Sequence, residues 1–185
     1  MKTLNKMFTY LLLVTLVSVI VLGSGCGDSN EDSNVTSNRF AVIETSLGTI
    51  KFELYEKRAP ITTKNFIELA EEDYYDGLIF HRVINDFMIQ TGWGDQVDNI
   101  THESHEELVH VDGAVSMANT GLPNSASSQF FICDGDQSYL DGNYAVFGQV
   151  VEGMEVVRAI AEMATDTNDK PLEDVKMISV TIQSE

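Results

Sequence analysis

The stretch FHRVINDFMIQTG, residues 80–92, sets an arginine into a run that otherwise has the make-up of buried strand: Phe80, Val83, Ile84, Phe87, Met88 and Ile89 surround Arg82. A charge taken out of water costs several kcal/mol unless something pairs with it or uses it. Arg82 is therefore expected to be a functional residue or half of an ion pair. Alternation puts Met88 and Gln90 on one face of this strand and Phe87 and Ile89 on the other, unless a bulge or turn at Ile84-Asn85-Asp86 shifts the count. In SSQFFIC, residues 127–133, the same period brings Gln129 and Phe131 together. Met88 and Phe131 taken singly are ordinary core residues. Two glutamines on interior-quality strands are harder to place as packing, because a buried amide needs hydrogen-bond partners.

Outward from this segment the pattern is one of short strands. Phe40 and Val42, then Ile50, Phe52 and Leu54, alternate with polar residues on either side of Ser46-Leu47-Gly48, predicting a β-hairpin. Pro60 opens a segment with Phe66, Leu69 and Ala70 at helical spacing, so a helix is predicted over 60–72. Apolar runs at 79–84, 87–90, 114–118, 129–133 and 145–151 are separated by Gly, Asn and Asp and predict strands and turns. A second helix is predicted over 154–164, where Val156, Ile160 and Met163 recur on one face, and a last strand over 175–182. Many short strands with two helices suggest a closed or nearly closed β-barrel with helices over its open ends.

The N-terminal end has a different character. Lys2 and Lys6 precede an uncharged stretch from Met7 to Gly27 that ends in small residues, the pattern of a secretory signal over 1–25. Cys26 directly after Leu22-Gly23-Ser24-Gly25 is similar to the bacterial lipobox and is expected to carry a lipid; an uncleaved membrane anchor is the plain alternative, since about 20 apolar residues span a bilayer. Residues 27–38, GDSNEDSNVTSN, contain one apolar residue and form, with Cys26, a flexible linker over 26–38 before a folded domain over 39–185. Such a linker reaches about 20 Å. Both readings place the domain outside the cytoplasm, tethered to a membrane.

Removal of the signal takes two of the 11 basic residues and none of the 29 acidic ones, leaving a net charge near −20. That surface repels nucleic acid and anionic headgroups, and no nucleic-acid partner is expected. Cys133 is then the only cysteine beyond Cys26, so stability must come from packing and not from an internal disulfide. It is expected to be a buried, unreactive thiol. In THESHEELVH, residues 101–110, the spacing of His102, His105 and His110 matches no structural zinc pattern; a solvated acidic loop and strand, with no metal, is expected. His81 is expected to be a hydrogen-bonded core histidine facing away from Arg82.

Five stretches in order, TTKNFIEL, YYDGLIFHRVINDFMIQTG, GAVSMANTG, SSQFFICDG and YLDGNYAVFGQVVEGMEVV, resemble the cyclophilins, a family of peptidyl-prolyl cis-trans isomerases. The resemblance spans nearly all of 40–182. It implies a mainly β fold, a closed antiparallel eight-stranded barrel capped by two α-helices. It implies Arg82 as the catalytic residue and Phe87, Met88, Gln90, Ala118, Asn119, Gln129, Phe131, Leu140 and Tyr144 as the substrate groove. Phe87, Met88, Phe131 and Leu140 would hold the proline ring, and Gln90, Asn119 and Gln129 the peptide backbone. Phe87 and Met88 can share a pocket only if a bulge or strand end lies near Asn85-Asp86. Asn85-Asp86, Thr91, Tyr139 and Tyr144 depart from the residues common in the family and bear on the shape of the pocket edge. The implied enzyme is a monomer that needs no cofactor and acts on proline-containing segments of exported proteins. A tethered peptide-binding or holdase module without turnover is the alternative.

Overall fold

The computed structural model describes residues 38–184; the expected signal peptide, Cys26 and nearly all of the expected linker lie outside the described residues. The order is β1 (Phe40–Thr45), β2 (Gly48–Leu54), α1 (Pro60–Glu71), β3 (Arg82–Ile84), β4 (Met88–Thr91), β5 (Ala114–Met117), β6 (Phe130–Cys133), a 3-10 turn (Ser138–Leu140), β7 (Ala145–Glu152), α2 (Met154–Ala161) and β8 (Met177–Gln183). The strands form one eight-stranded sheet, ordered β3-β4-β6-β5-β7-β2-β1-β8, with antiparallel pairing throughout.

Local chemistry accounts for the element ends. β1 and β2 meet in a two-residue loop at Ser46-Leu47, where Thr45 Oγ1 donates to the Gly48 carbonyl at 2.7 Å. Pro60 starts α1 at a position whose N–H would have no helical partner. The second helix is shorter than its sequence pattern, stopping at Ala161. Beyond it the Asp166 carboxylate accepts from the backbone N–H of Asn168 (2.7 Å) and Lys170 (3.0 Å), and these local bonds compete with a helical continuation.

Inside the sheet, Phe66 of α1 stacks on Tyr75 (ring centroids 5.1 Å apart) and meets Phe130 (5.4 Å) and Phe52 (5.5 Å) edge-on. Phe147 closes the group at 5.3 Å from Phe66. All five rings are fully buried. One helix thus pins strands that are distant in sequence, each large side chain contributing about 1.5–3 kcal/mol by burial.

The sheet corrects the expectation of a closed barrel: it is an open half-barrel. β3 is only three residues long, and its Val83 N–H donates to the carbonyl of Asp169, in the loop after α2, at 2.8 Å. On the side away from β4, β3 therefore bonds this loop and not β8. The gap is stitched before β3, by one bridge between Ile79 and Lys176 and by backbone bonds joining Gly77 and Leu78 to Met177 and Phe80 to Val175. Exposed strand edges are thereby covered without a continuous ladder.

Candidate functional site

Four strands carry the site on their outer face. The pairing Arg82–Gln90, Gln90–Phe131 and Phe131–Ser116 aligns these residues in one row across β3, β4, β6 and β5. The neighbouring row, Val83–Ile89–Ile132–Val115, points into the core and is fully buried. Nine of the ten expected residues, Arg82, Phe87, Met88, Gln90, Ala118, Asn119, Phe131, Leu140 and Tyr144, line one cavity of about 140 Å³. Gln129, the tenth, lies behind this wall, where its Oε1 accepts from Gln90 Nε2 at 2.9 Å. That bond fixes Gln90 and leaves its Oε1 as an acceptor.

Phe87 and Met88 share the cavity because the strand does end between them and Ile84. Residues 85–87 form the turn of a β3–β4 hairpin, with Asp86 at φ 59°. The turn is held from outside. Asp134 Oδ2 accepts from the Asp86 N–H (3.0 Å), Gln137 Nε2 donates to the Asp86 carbonyl (2.9 Å), and the Asp134 N–H donates to the Phe87 carbonyl (2.9 Å). Arg158 of α2 holds the buried Asp134 at 2.7 Å. Phe87 then stacks on the exposed Tyr139 at 6.2 Å, which extends the rim.

Phe131 is the floor, and it is also held from beneath. The buried His110 ring lies parallel to it at 5.9 Å, while Tyr144 meets it edge-on at 5.6 Å. His110 Nδ1 is 2.7 Å from Asp141 Oδ1, and Nε2 is 3.0 Å from Ser116 Oγ. Burial pushes the His110 pKa below the ordinary histidine value, although Asp141 opposes it. The neutral ring therefore donates from Nδ1 to Asp141 and accepts the Ser116 hydroxyl at Nε2. Burial alone would raise the Asp141 pKa, but bonds from the His110 side chain and backbone outweigh it and hold the carboxyl below its usual range. The expectation of a solvated loop fails at His110, because a ring fully bonded on both nitrogens can replace the water it loses.

Arg82 resolves both ways at once. Its Nε is 3.4 Å from Asp169 Oδ2, and both side chains are about two-fifths exposed, so the charge is partly paired and partly hydrated. Among the described residues no protein group bonds its two terminal nitrogens. Asn119 is engaged through its side chain: Nδ2 donates to the Asn143 carbonyl (2.9 Å) and Oδ1 accepts from the Gly121 N–H (2.8 Å). Its main chain has no internal bond among the described residues, and it is the part left for a ligand.

His81 is not the fully bonded core residue its alternation suggested. It precedes β3, is half-buried, has an unpartnered Nδ1 and meets the exposed Trp93 edge-on at 5.4 Å. Burial lowers its pKa against an opposing side-chain bond with Gln129, and the adjacent Arg82 charge adds to the lowering. Cys133 is buried, and its thiol pKa is pushed up to about 12, which keeps it protonated and unreactive. Sequence reasoning missed Asp134, Gln137, Arg158, Ser116, His110 and Asp169 as supports of the site. Asp134, Gln137, Arg158 and Asp169 act through contacts 24 to 87 residues apart along the chain, beyond any periodicity.

Over residues 40–182 the chain matches the family described as cyclophilin type peptidyl-prolyl cis-trans isomerase/CLD. The chain belongs to the cyclophilin family. A peptidyl-prolyl cis-trans isomerase of Schizosaccharomyces pombe is 46% identical over 149 residues, covering 74% of this chain and 94% of the relative. One from Acinetobacter baylyi is 40% identical over 168 residues, covering 82% and 89%. Among solved structures, a cyclophilin type isomerase of Cryptosporidium parvum superposes with a TM-score of 0.76 at 31% identity, covering 80% of this chain and 99% of that one. This cyclophilin is accordingly a peptidyl-prolyl cis-trans isomerase, with a mainly β fold of the family's kind.

Proposed function

We propose that this cyclophilin isomerises X-Pro bonds in exported proteins while tethered outside the cytoplasm, with Arg82 as its catalytic residue. The observation that carries the site assignment is the guanidinium of Arg82 lining one cavity of about 140 Å³ with Phe87, Met88, Phe131 and Leu140, held through Nε by Asp169 and with no partner for its terminal nitrogens among the described residues. A related Cryptosporidium parvum structure was solved in the presence of the dipeptide Ala-Pro, which supports a proline-containing ligand for the same groove.

Rotation of the X-Pro bond is opposed by about 18–20 kcal/mol because nitrogen lone-pair density is shared with the carbonyl. No bond has to break. A catalyst need only favour the twisted amide over either planar form. In the twisted state the lone pair returns to the prolyl nitrogen, which becomes an acceptor, and the permanently charged Arg82 donates there. Phe87, Met88, Phe131 and Leu140 hold the ring, with Ala118 and Tyr144 completing the wall. Gln90, Gln129 and the Asn119 main chain hold the peptide so that rotation is confined to one bond. No step calls for a cofactor or metal.

The location rests on sequence: a signal over 1–25, a lipid on Cys26 and the polar linker 26–38. Among the described residues no helix is long and apolar enough to cross a membrane. The enzyme would act as a monomer. NMR exchange of a short X-Pro peptide tests the chemistry: the full chain accelerates cis-to-trans exchange and Arg82→Ala leaves it near background. Tight peptide binding without acceleration would instead make the protein a tethered binder or holdase. The intact mass of membrane-extracted protein tests the anchor, since a lipid on residue 26 and an uncleaved N-terminus differ by the whole signal.

A further inference from the structure

A second cavity of about 450 Å³ adjoins the proline cavity and shares Asn119 and Tyr144 with it as walls. Leu122, Pro123, Gly142, Asn143 and His102 are among the residues that complete its lining. Leu122 is 68% exposed and so leaves its side chain available to a ligand in this space. Two loops frame the space, and they are tied together. Asn119 Nδ2 holds the Asn143 carbonyl at 2.9 Å, His102 Nε2 lies 3.2 Å from the Gly142 carbonyl, and the Asn124 side chain accepts from the His102 N–H at 2.8 Å. The cavity is thus a framed part of the surface, continuous with the groove.

We propose that this cavity is a specificity subsite that takes a large uncharged side chain, aromatic or branched aliphatic, flanking the proline of the bound peptide; the proposal rests on the isomerase reading of the adjoining groove. Continuity identifies the occupant, because a peptide with its proline in the smaller cavity must lead its neighbours past Asn119 or Tyr144. Chemistry identifies the class. Among the described residues no Asp, Glu, Lys or Arg lines the space, Leu122, Pro123 and the Tyr144 ring supply apolar contact, and Asn143 and His102 add polar groups. A glycine or alanine would leave most of the volume to water. An acidic side chain would meet no cation there, on a molecule whose formal net charge is −18.

The test compares peptides with proline at the centre and glycine at the two positions on either side, each glycine replaced in turn by tyrosine or glutamate. With the full chain, tyrosine at one of the four positions raises kcat/KM on the order of ten-fold over glycine, the scale of discrimination an apolar pocket provides, and glutamate there does not. In Leu122→Ser that ratio falls towards one. Intermolecular NOEs link the tyrosine ring to the Leu122 methyls in the parent protein, which locates the side chain independently of the variant. Ratios within two-fold of one at every position, or NOEs to residues outside the cavity, overturn the subsite while leaving the isomerase standing. Failure to accelerate even the all-glycine peptide overturns the isomerase reading, and the subsite falls with it.

Discussion

The two faces of β3, β4, β6 and β5 are made by alternate residues of the same strands and do opposite work. The inner row, Val83–Ile89–Ile132–Val115, is aliphatic, fully buried and packed around the Phe66 cluster. The outer row, Arg82–Gln90–Phe131–Ser116, mixes a cation, an amide, an aromatic ring and a hydroxyl, each tied to a partner reached across the fold. Burial on the inner face is non-directional and supplies stability in proportion to area. Hydrogen bonds on the outer face contribute little net stability but fix direction. The face that stabilises and the face that acts are therefore separable one residue at a time, and mutations should show it.

The sharpest contrast is between inner and outer neighbours. Ile132→Ala is expected to cost about 2–5 kcal/mol in urea unfolding while leaving kcat/KM per folded molecule nearly unchanged. Arg82→Ala should do the reverse. Its half-exposed side chain predicts a stability change within about 0.5 kcal/mol, against a loss of turnover of about 10²–10³-fold, the scale of one transition-state donor. If Arg82→Ala unfolds the protein, or Ile132→Ala removes the activity of the remaining folded fraction, the two faces are not separable.

His110 gives the comparison a pH dependence, because it lies under the outer face yet is buried as deeply as the core. Its folded pKa is lowered, so below the unfolded value of about 6.5 the unfolded chain binds more protons than the folded one, and stability falls on acidification. The loss stops below the folded pKa. His81 shifts in the same direction and adds to it. Urea unfolding at pH 7.5 and 5.5 should show the parent losing stability, and His110→Gln losing less than the parent between the same two points.

A smaller effect is expected where the outer face is supported from outside. Gln137→Ala frees the Asp86 carbonyl and loosens the turn that carries Phe87. The prediction is a several-fold rise in KM with kcat changed less, since ring binding and not the Arg82 contact is disturbed, and no further rise when Phe87→Ala is already present. An equal fall in kcat would place the turn in the chemical step.

How much of this was legible depended on the range of the interaction. The hairpin at Ser46-Leu47, the start of α1 at Pro60 and the strands around 82–91 and 130–133 follow from turn chemistry and alternation within a few residues. The outer-face residues were found through their family motifs, with the odd parity of Phe87 as the sign that a strand had to end at Asn85-Asp86. The open seam was not legible, because it depends on where the loop around Asp169 lies relative to Val83. His81 and His110 were both misplaced for the same reason. Alternation assigns a face, but only the packed neighbours, Trp93 for one and Asp141, Ser116 and Phe131 for the other, decide whether that face is wet, bonded or empty.

By itself the sequence determined the elements, the apolar face of each, the motifs shared with the cyclophilins and the net negative charge. These rest on local backbone preference and on the period of apolar residues, both properties of neighbours in the chain. Only the tertiary structure decided that the sheet stays open, that Asp134, Gln137 and Arg158 hold the Phe87 turn, that His110 supports Phe131, and that a second cavity continues the groove. Each of these joins groups brought together by folding, where a distance of a few ångströms, invisible in the order of residues, sets whether an interaction exists.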